Sequence, residues 1–309
     1  MVSVSVSAPG KVNVFFAVGP LRADGYHDVV SVYQALDLRE TVSVTSGEDW
    51  HVEVSGQISA EQISAVPTGA SNLVVRAARA LAHEANISNP HPVHFEITKS
   101  VPVAGGMGGG SADAAAALVA VNELWCTGVT QQQLLDTAAT LGADVPFALM
   151  GGTALGTGAG ETLRSIEGVQ TLHWVLVASE GGLSTPMVYA RLDELRADRG
   201  VNPEKVSIPE SPNELLSALQ SGDVNEVAKH LHNDLQEAAV DLMPSLKETM
   251  QAGLAAGAVA AMVSGSGPTV ALLAAEESQA ISIANQLSIQ GFNAIPTFGP
   301  AAGTILEAN

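Results

Sequence analysis

The sequence predicts a two-domain α+β protein, and three observations carry that expectation. The chain has 309 residues, two domains' worth at about 150 residues each. Its first half mixes β-rich segments with helices and runs from a strand through a glycine loop into a long helix. Its second half has another texture, with apolar strands set among several helices that carry Pro near their starts.

Taken in order, residues 2–6, 12–18, 29–38, 41–45 and 51–55 are rich in β-branched residues, several alternate with period two, and turn residues separate them. They are expected to form one largely antiparallel sheet. Ser71 stands where an N-cap would open a helix over 73–85, because Leu73, Ala77, Ala80 and Leu81 repeat at helical spacing. Residues 93–98 alternate as a strand, and after the glycine loop Ser111 and Ala112 open a helix that runs to 125. Beyond that, 174–178 reads as a strand, and 212–219, 224–239 and 244–256 read as helices. Residues 259–263 and 269–274 form two short strands around a Gly/Ser turn, followed by a helix near 278–287 and a strand near 293–297. The glycine-rich stretch 151–160 or the residues just after it mark the boundary, which divides the chain into 1–163 and 164–309.

Composition removes several functions. Thirteen Lys and Arg against 32 Asp and Glu give a net charge of −19, a field that repels nucleic acid and anionic membrane surfaces. The longest apolar run, 252–263, is too short and too glycine-rich to span a bilayer. Residues 1–6 alternate Val and Ser with no basic residue before Lys11, unlike a secretory leader, and the single Cys126 cannot form an internal disulfide. A cytoplasmic protein acting on a small molecule, as a monomer or weak homodimer, is expected.

The most informative segment is PVAGGMGGGSADAA, residues 102–115. Gly105, Gly106, Gly108, Gly109 and Gly110 let the backbone bring several N–H groups to one oxyanion, and the helix that follows aims its positive end at the same point. That combination is a phosphate cradle. It is not a Walker loop, because the only Gly-Lys pair, Gly10 and Lys11, is followed by Val12. A dinucleotide fingerprint fails too, since Ser111 stands where the third Gly or Ala belongs. His230 and His232 are two apart on an expected helix and face different sides, so no protein metal site is expected.

Pro102 and the loop that follows it resemble the phosphate loop of the GHMP kinase superfamily, with Met107 where that family has Leu and Ala112 where it has a second Ser. SAPGKVNVFFAV (7–18) is similar to the family's opening motif and MVSGSGPTVALL (262–273) to its closing one. RADGYHD (22–28), SNLVVRAARAL (71–81) and LGADVPF (141–147) resemble the branch that phosphorylates diphosphocytidyl-methylerythritol in the non-mevalonate isoprenoid pathway. The resemblance implies a GHMP N-terminal domain, a ferredoxin-like C-terminal domain and a cleft between them that binds ATP with Mg²⁺. It implies transfer of the γ-phosphoryl to the 2-hydroxyl of the methylerythritol moiety.

Read alone, Asp144 ahead of Val145 and Pro146 is an ordinary helix N-cap, and Lys11 is a solvated lysine. The resemblance makes Asp144 the base that accepts the hydroxyl proton and Lys11 the cation that stabilises charge on the substrate oxygen. Residues 100–163 hold no Lys or Arg, so the cradle must rely on Pro102, the five glycines, Ser111 and the backbone at Ala112. The resemblance sets Asn72 and Lys99 near the adenine. It also sets Tyr26 and Tyr189 on either face of cytosine, with His27, Asn13 and Thr185 close to the same substrate. Two alternatives remain open: another GHMP kinase acting on homoserine, mevalonate or a sugar, and a catalytically silent binding protein.

Overall fold

The computed structural model describes residues 2–103, 105–179 and 181–308. The first sheet is built on β1 (Ser3–Leu21) and β2 (His27–Ser46), which pair antiparallel along almost their whole length. Both are longer than the sequence suggests. Pro9 and Gly10, a natural place to end a strand, fall at a register shift, where a missing N–H is tolerated and pairing resumes at once. Next come β3 (His51–Gly56), a short helix α1 (Ala60–Ser64) and α2 (Leu73–Glu84), then β4 (Val93–Lys99). Among the described residues the order runs β1-β2-β4-β3, with β3 parallel to β4 and the other two pairs antiparallel.

The expected helix after the glycine loop begins at Gly109, three residues earlier than Ala112, as α3 (Gly109–Trp125). It packs on β1, β2 and α2, and its Ala-rich sequence is what permits so close an approach. Ala112, Ala114 to Ala117 and Ala120 are all fully buried in a core shared with Val6, Val42, Val74, Leu81 and Phe95. Helices α4 (Gln131–Ala139) and α5 (Val145–Met150) complete that layer, and β5 (Thr153–Thr157) and β6 (Thr162–Ser165) return to pair with β2 and with each other. Strand β6 therefore belongs to the first sheet, and the second sheet starts with β7 (Leu172–Ala178).

From there α6 (Thr185–Asp198), α7 (Asn213–Ser221) and α8 (Val224–His230) lead to a two-residue strand β8 (His232–Asn233), α9 (Gln236–Leu242) and α10 (Ser245–Ala255). Strands β9 (Ala260–Val263) and β10 (Val270–Ala274), helix α11 (Glu277–Ile289) and β11 (Asn293–Gly299) follow, and β12 (Ile305–Leu306) returns to β1. The second sheet has the order β11-β7-β10-β9. Numbered within its own domain that order is 4-1-3-2 and every pair is antiparallel, the ferredoxin-like arrangement the resemblance implies.

The continuous helix expected over 224–239 is not formed. Leu231 is extended, and the chain crosses β1 as β8, parallel to Phe15 and Phe16. Tertiary bonds outweigh local propensity there. Asp234 accepts from the Val18 amide at 2.7 Å, and Asn233 Nδ2 donates to the carbonyls of Val263 and Gly265 at 2.7 and 2.8 Å. His230 thus ends a helix, whereas His232 lies in a strand against the Phe15 ring. Strand β5 is a strand the sequence suggests near Thr153, whereas helix α6 and strands β6 and β12 carry no clear periodic signal and are structural findings.

Period-two alternation in β7 joins the two domains. Leu172, Trp174 and Leu176 pack with Val12, Val32, Leu36 and Met107 of the first domain, whereas Val175 and Val177 pack with Val188, Leu246 and Ile283 under the helices of the second. Trp174 is fully buried and its indole donates to Gln34 Oε1 at 2.8 Å. A side chain of that kind stabilises a fold by about 3 to 5 kcal/mol when judged by truncation, so the domains share one hydrophobic seam.

Candidate active site

The glycine loop is fixed from both sides. Lys11 N–H donates to Met107 O at 2.9 Å, and Thr269 Oγ1 from the closing glycine-rich motif donates to Gly105 O at 2.7 Å. Met107 is 1% exposed and anchors the loop in the seam core; an unbranched side chain fills the place of Leu. Gly108 caps α3 in the left-handed conformation (φ +73°), and a Cβ there would sit 3.3 Å from Lys11 Cγ. Gly106 also has φ +73°, with the Gly267 carbonyl 2.7 Å from any Cβ. These two positions require glycine. The first intrahelical bond of α3 is Ala112 N–H to Gly108 O at 2.8 Å, which leaves the amides of Gly109, Gly110 and Ser111 unpaired at the positive end of the helix.

A cavity of about 330 Å³ lies over that end, lined by Pro67, Leu73, Pro102, Ser111 and the loop glycines 105, 106 and 108–110. Ala112 does not face it, because its methyl is in the core and its amide is bonded within the helix. Asn72, rather than Ser71, caps α2: Oδ1 accepts from Val74 N–H at 2.9 Å and Nδ2 donates to Pro67 O at 2.5 Å. Both polar ends of Asn72 are thereby used in holding the cavity wall.

Lys99 touches the same cavity, but its ammonium is committed elsewhere. It lies 2.6 Å from Glu40 Oε1 and 2.7 Å from Asp113 Oδ2, and all three side chains are buried. Burial works against the charge of Lys99, yet Asp113 and Glu40 outweigh it and hold its pKa above the usual value. Burial, and then the neighbouring Asp113, pushes Glu40 up to about 7 against the pull of Lys99; burial also raises Asp113. Glu40 Oε2 accepts from Ser100 N–H at 2.8 Å, and Oε1 would lie 2.8 Å from a Cβ at Gly109. The triad is therefore the floor beneath the loop. Sequence reasoning passes over Glu40 and Asp113; a lone acid early in an Ala-rich helix is a signal that marks Asp113, whereas Glu40 stands among Asp37 and Arg39 with nothing local to single it out.

A second cavity, about 210 Å³, adjoins the first at Gly106 and Gly108 and contains Lys11, Asn13, Tyr33, Asp144, Thr185 and Tyr189. Lys11 Nζ is 3.8 Å from Asp144 Oδ2 and donates to Asn13 Oδ1 at 2.7 Å. Asn13 is held in turn by Ser31, which accepts from Nδ2 at 2.8 Å, and by Ser264, whose hydroxyl accepts from its backbone N–H at 3.1 Å. Asp144 occupies the N-cap position of α5, but its carboxylate makes no capping bond and faces the cavity. It is free for chemistry that an ordinary cap could not perform. Tyr33 stands 5.7 Å under the Lys11 ammonium, and burial raises its phenol pKa.

A third cavity, about 380 Å³, meets the second at Ala159, Thr185 and Tyr189. Tyr26 is 66% exposed on the turn at its rim, and His27 is stacked on Tyr189 with ring centroids 5.1 Å apart. Thr185 opens α6 and shares a 2.9 Å hydroxyl contact with Ser266. Asp193, which no sequence motif singles out, lies 3.1 Å from His27 Nε2. Each neighbouring pair of cavities shares lining residues, and Lys11 and Asp144 belong to the middle one.

Residues 72–152 match the model of the GHMP kinases N terminal domain and residues 215–293 that of the GHMP kinases C terminal domain. The chain is 48% identical over 304 residues to the 4-diphosphocytidyl-2-C-methyl-D-erythritol kinase of Pseudarthrobacter chlorophenolicus, covering 97% of this chain and 94% of the relative. It is 50% identical over 289 residues to the protein of the same name from Rhodococcus jostii, covering 93% and 89%. A crystal structure of a 4-(cytidine 5'-diphospho)-2C-methyl-D-erythritol kinase superposes with a TM-score of 0.75 at 30% identity, covering 96% of this chain and all of the other. Homoserine kinase from Cytophaga hutchinsonii, at 18% identity and a TM-score of 0.72 over 99% of this chain and 97% of its own, shares the fold. With a glycine cradle, a lysine–carboxylate pair and both halves of the chain matched, the protein belongs to the GHMP kinases.

Proposed function

We propose that the chain transfers the γ-phosphoryl group of ATP to the 2-hydroxyl of 4-diphosphocytidyl-2-C-methyl-D-erythritol, an ATP-dependent step of isoprenoid synthesis carried out in the cytoplasm. One observation carries the reading: Lys11 and Asp144 line a cavity that adjoins one floored by a helix N-terminus on one side and one walled by aromatic side chains on the other. The triphosphate lies on the amides of Gly109, Gly110 and Ser111, which supply positive potential without any cationic side chain. The acceptor's diphosphocytidyl group extends into the third cavity against Tyr26, His27 and Tyr189, whose faces suit a pyrimidine ring.

Chemistry then needs alignment, charge stabilisation and one proton acceptor. The hydroxyl oxygen attacks the γ-phosphorus, the bond to the β-phosphate oxygen breaks, ADP leaves, and the hydroxyl proton passes to Asp144. Lys11, fixed by Asn13, faces the attacking oxygen and stabilises charge as it develops there. The half-buried Ser111 hydroxyl at the cavity wall and the nucleotide phosphates fit a magnesium ion, which when bound neutralises charge on the phosphates. Residues 1–163 hold the nucleotide in this reading, and 164–309 supply Thr185 and Tyr189 for the acceptor.

The test is ADP release measured with a panel of acceptors. Release that requires the cytidylated substrate, and does not occur with homoserine or mevalonate, is expected; equal release with homoserine would overturn the substrate assignment, and no release with any acceptor would leave a binding protein.

A further inference from the structure

A neutral imidazole has one N–H and one lone pair, and the partner of either nitrogen decides which is which. His27 is 6% exposed, its ring lies against Tyr189 at an interplanar angle of 29°, and its Nε2 is 3.1 Å from Asp193 Oδ1. A carboxylate only accepts, so this contact places the ring hydrogen on Nε2 and leaves the lone pair on Nδ1. Among the described residues Nδ1 makes no hydrogen bond, and it is not among the side-chain atoms that are shut off from solvent without a partner. His27 lines the third cavity together with Tyr26, Tyr189 and Asp193, where that lone pair can meet a ligand.

We propose that Asp193 is a positioning residue which fixes the Nε2–H tautomer of His27 and so makes this cavity select an aminopyrimidine over an oxopyrimidine. The inference rests on the reading of the cavity as the pyrimidine site. The exocyclic amine of cytosine donates and meets the Nδ1 lone pair. Uracil carries a carbonyl oxygen at that position, and two acceptors facing each other leave both unsatisfied. Selectivity of this kind comes from rejecting the wrong base as much as from holding the right one. The His27–Asp193 contact also joins β2 of the first domain to α6 of the second, so a purely mechanical role is the competing explanation.

The experiment compares the cytidylated acceptor with its uridylated counterpart in the wild type and in Asp193→Ala, Asp193→Asn and Asp193→Glu, with ¹⁵N NMR of the histidine rings in parallel. The wild type is expected to hold His27 as the Nε2–H form and to prefer the cytidylated acceptor in kcat/KM. Asp193→Ala and Asp193→Asn are expected to lower that preference about tenfold or more, through KM rather than kcat, and to give mixed tautomers. Asp193→Glu restores both. A mechanical tie would weaken both acceptors equally, so an unchanged preference in Asp193→Ala overturns the proposal, as does a wild-type ring protonated at Nδ1. If the wild type phosphorylates neither acceptor, the substrate reading itself fails and the selectivity falls with it.

Discussion

The two ends of the groove are built from different materials. At the end proposed for the nucleotide the groups on offer are backbone amides, delivered by one continuous segment, and the nearby Lys99 is paired with two acids. At the acceptor end the groups are side chains from β2 and α6, brought together from opposite halves of the chain. A phosphate is recognised by shape and by unpaired N–H groups, which glycine spacing supplies locally. A base is recognised by ring faces and a donor–acceptor pattern, which a single segment rarely provides.

The sharpest way to break this comparison lies where the two ends meet. Asp144→Asn keeps the size of the side chain and is expected to retain nucleotide binding while turnover drops about 100-fold or more; isothermal titration with ATP and steady-state kinetics measure the two separately. Near-normal turnover would remove the base from Asp144.

Beneath the loop, Glu40 tests whether the nucleotide end depends on a buried charge set after all. Its carboxyl is raised from 4.5 to about 7 in the fold, so between those values the folded protein holds a proton that the unfolded chain has released. Stability linked to this group is therefore full below about pH 4.5 and is lost as pH rises towards 7. Glu40→Gln should flatten the wild-type stability profile by about 2 kcal/mol between pH 5 and 8, by denaturant unfolding at each pH. An identical slope in both proteins would show that Glu40 titrates normally.

A smaller effect separates shape from flexibility within the loop. Gly108→Ala places a Cβ at φ +73° and 3.3 Å from Lys11 Cγ, and should raise the KM for ATP about tenfold. At Gly110 an added Cβ would meet only Leu73 Cδ1, at 3.5 Å, which is ordinary contact, and Gly110→Ala should change KM by less than about threefold. Equal effects would mean that the loop needs general flexibility and not a fixed path.

Legibility follows the same division. The glycine run and the helix after it can be read directly, because turn chemistry and helix propensity are properties of neighbouring residues. Sequence alone starts α3 three residues late because Gly109 and Gly110 are poor helix formers, although Glu40 and Val101 crowd Gly109 and Leu73 lies near Gly110. The break at Leu231 is missed differently: the flanking stretches have helical propensity, His230, His232, Asn233 and Asp234 between them are weak helix formers, and the bonds that Asp234 accepts and Asn233 donates to distant backbone hold the extended path. Asp193 has no local signal at all, since its meaning depends on His27, 166 positions away.

The placing of the three adjoining cavities also bears on the order of events. The donor's seat and the acceptor's seat open on either side of the waist at Lys11 and Asp144, so neither reactant has to pass through the other's place to reach its own. Arrival and departure in either sequence are compatible with such a passage, and a compulsory queue would have to come from movement of the chain.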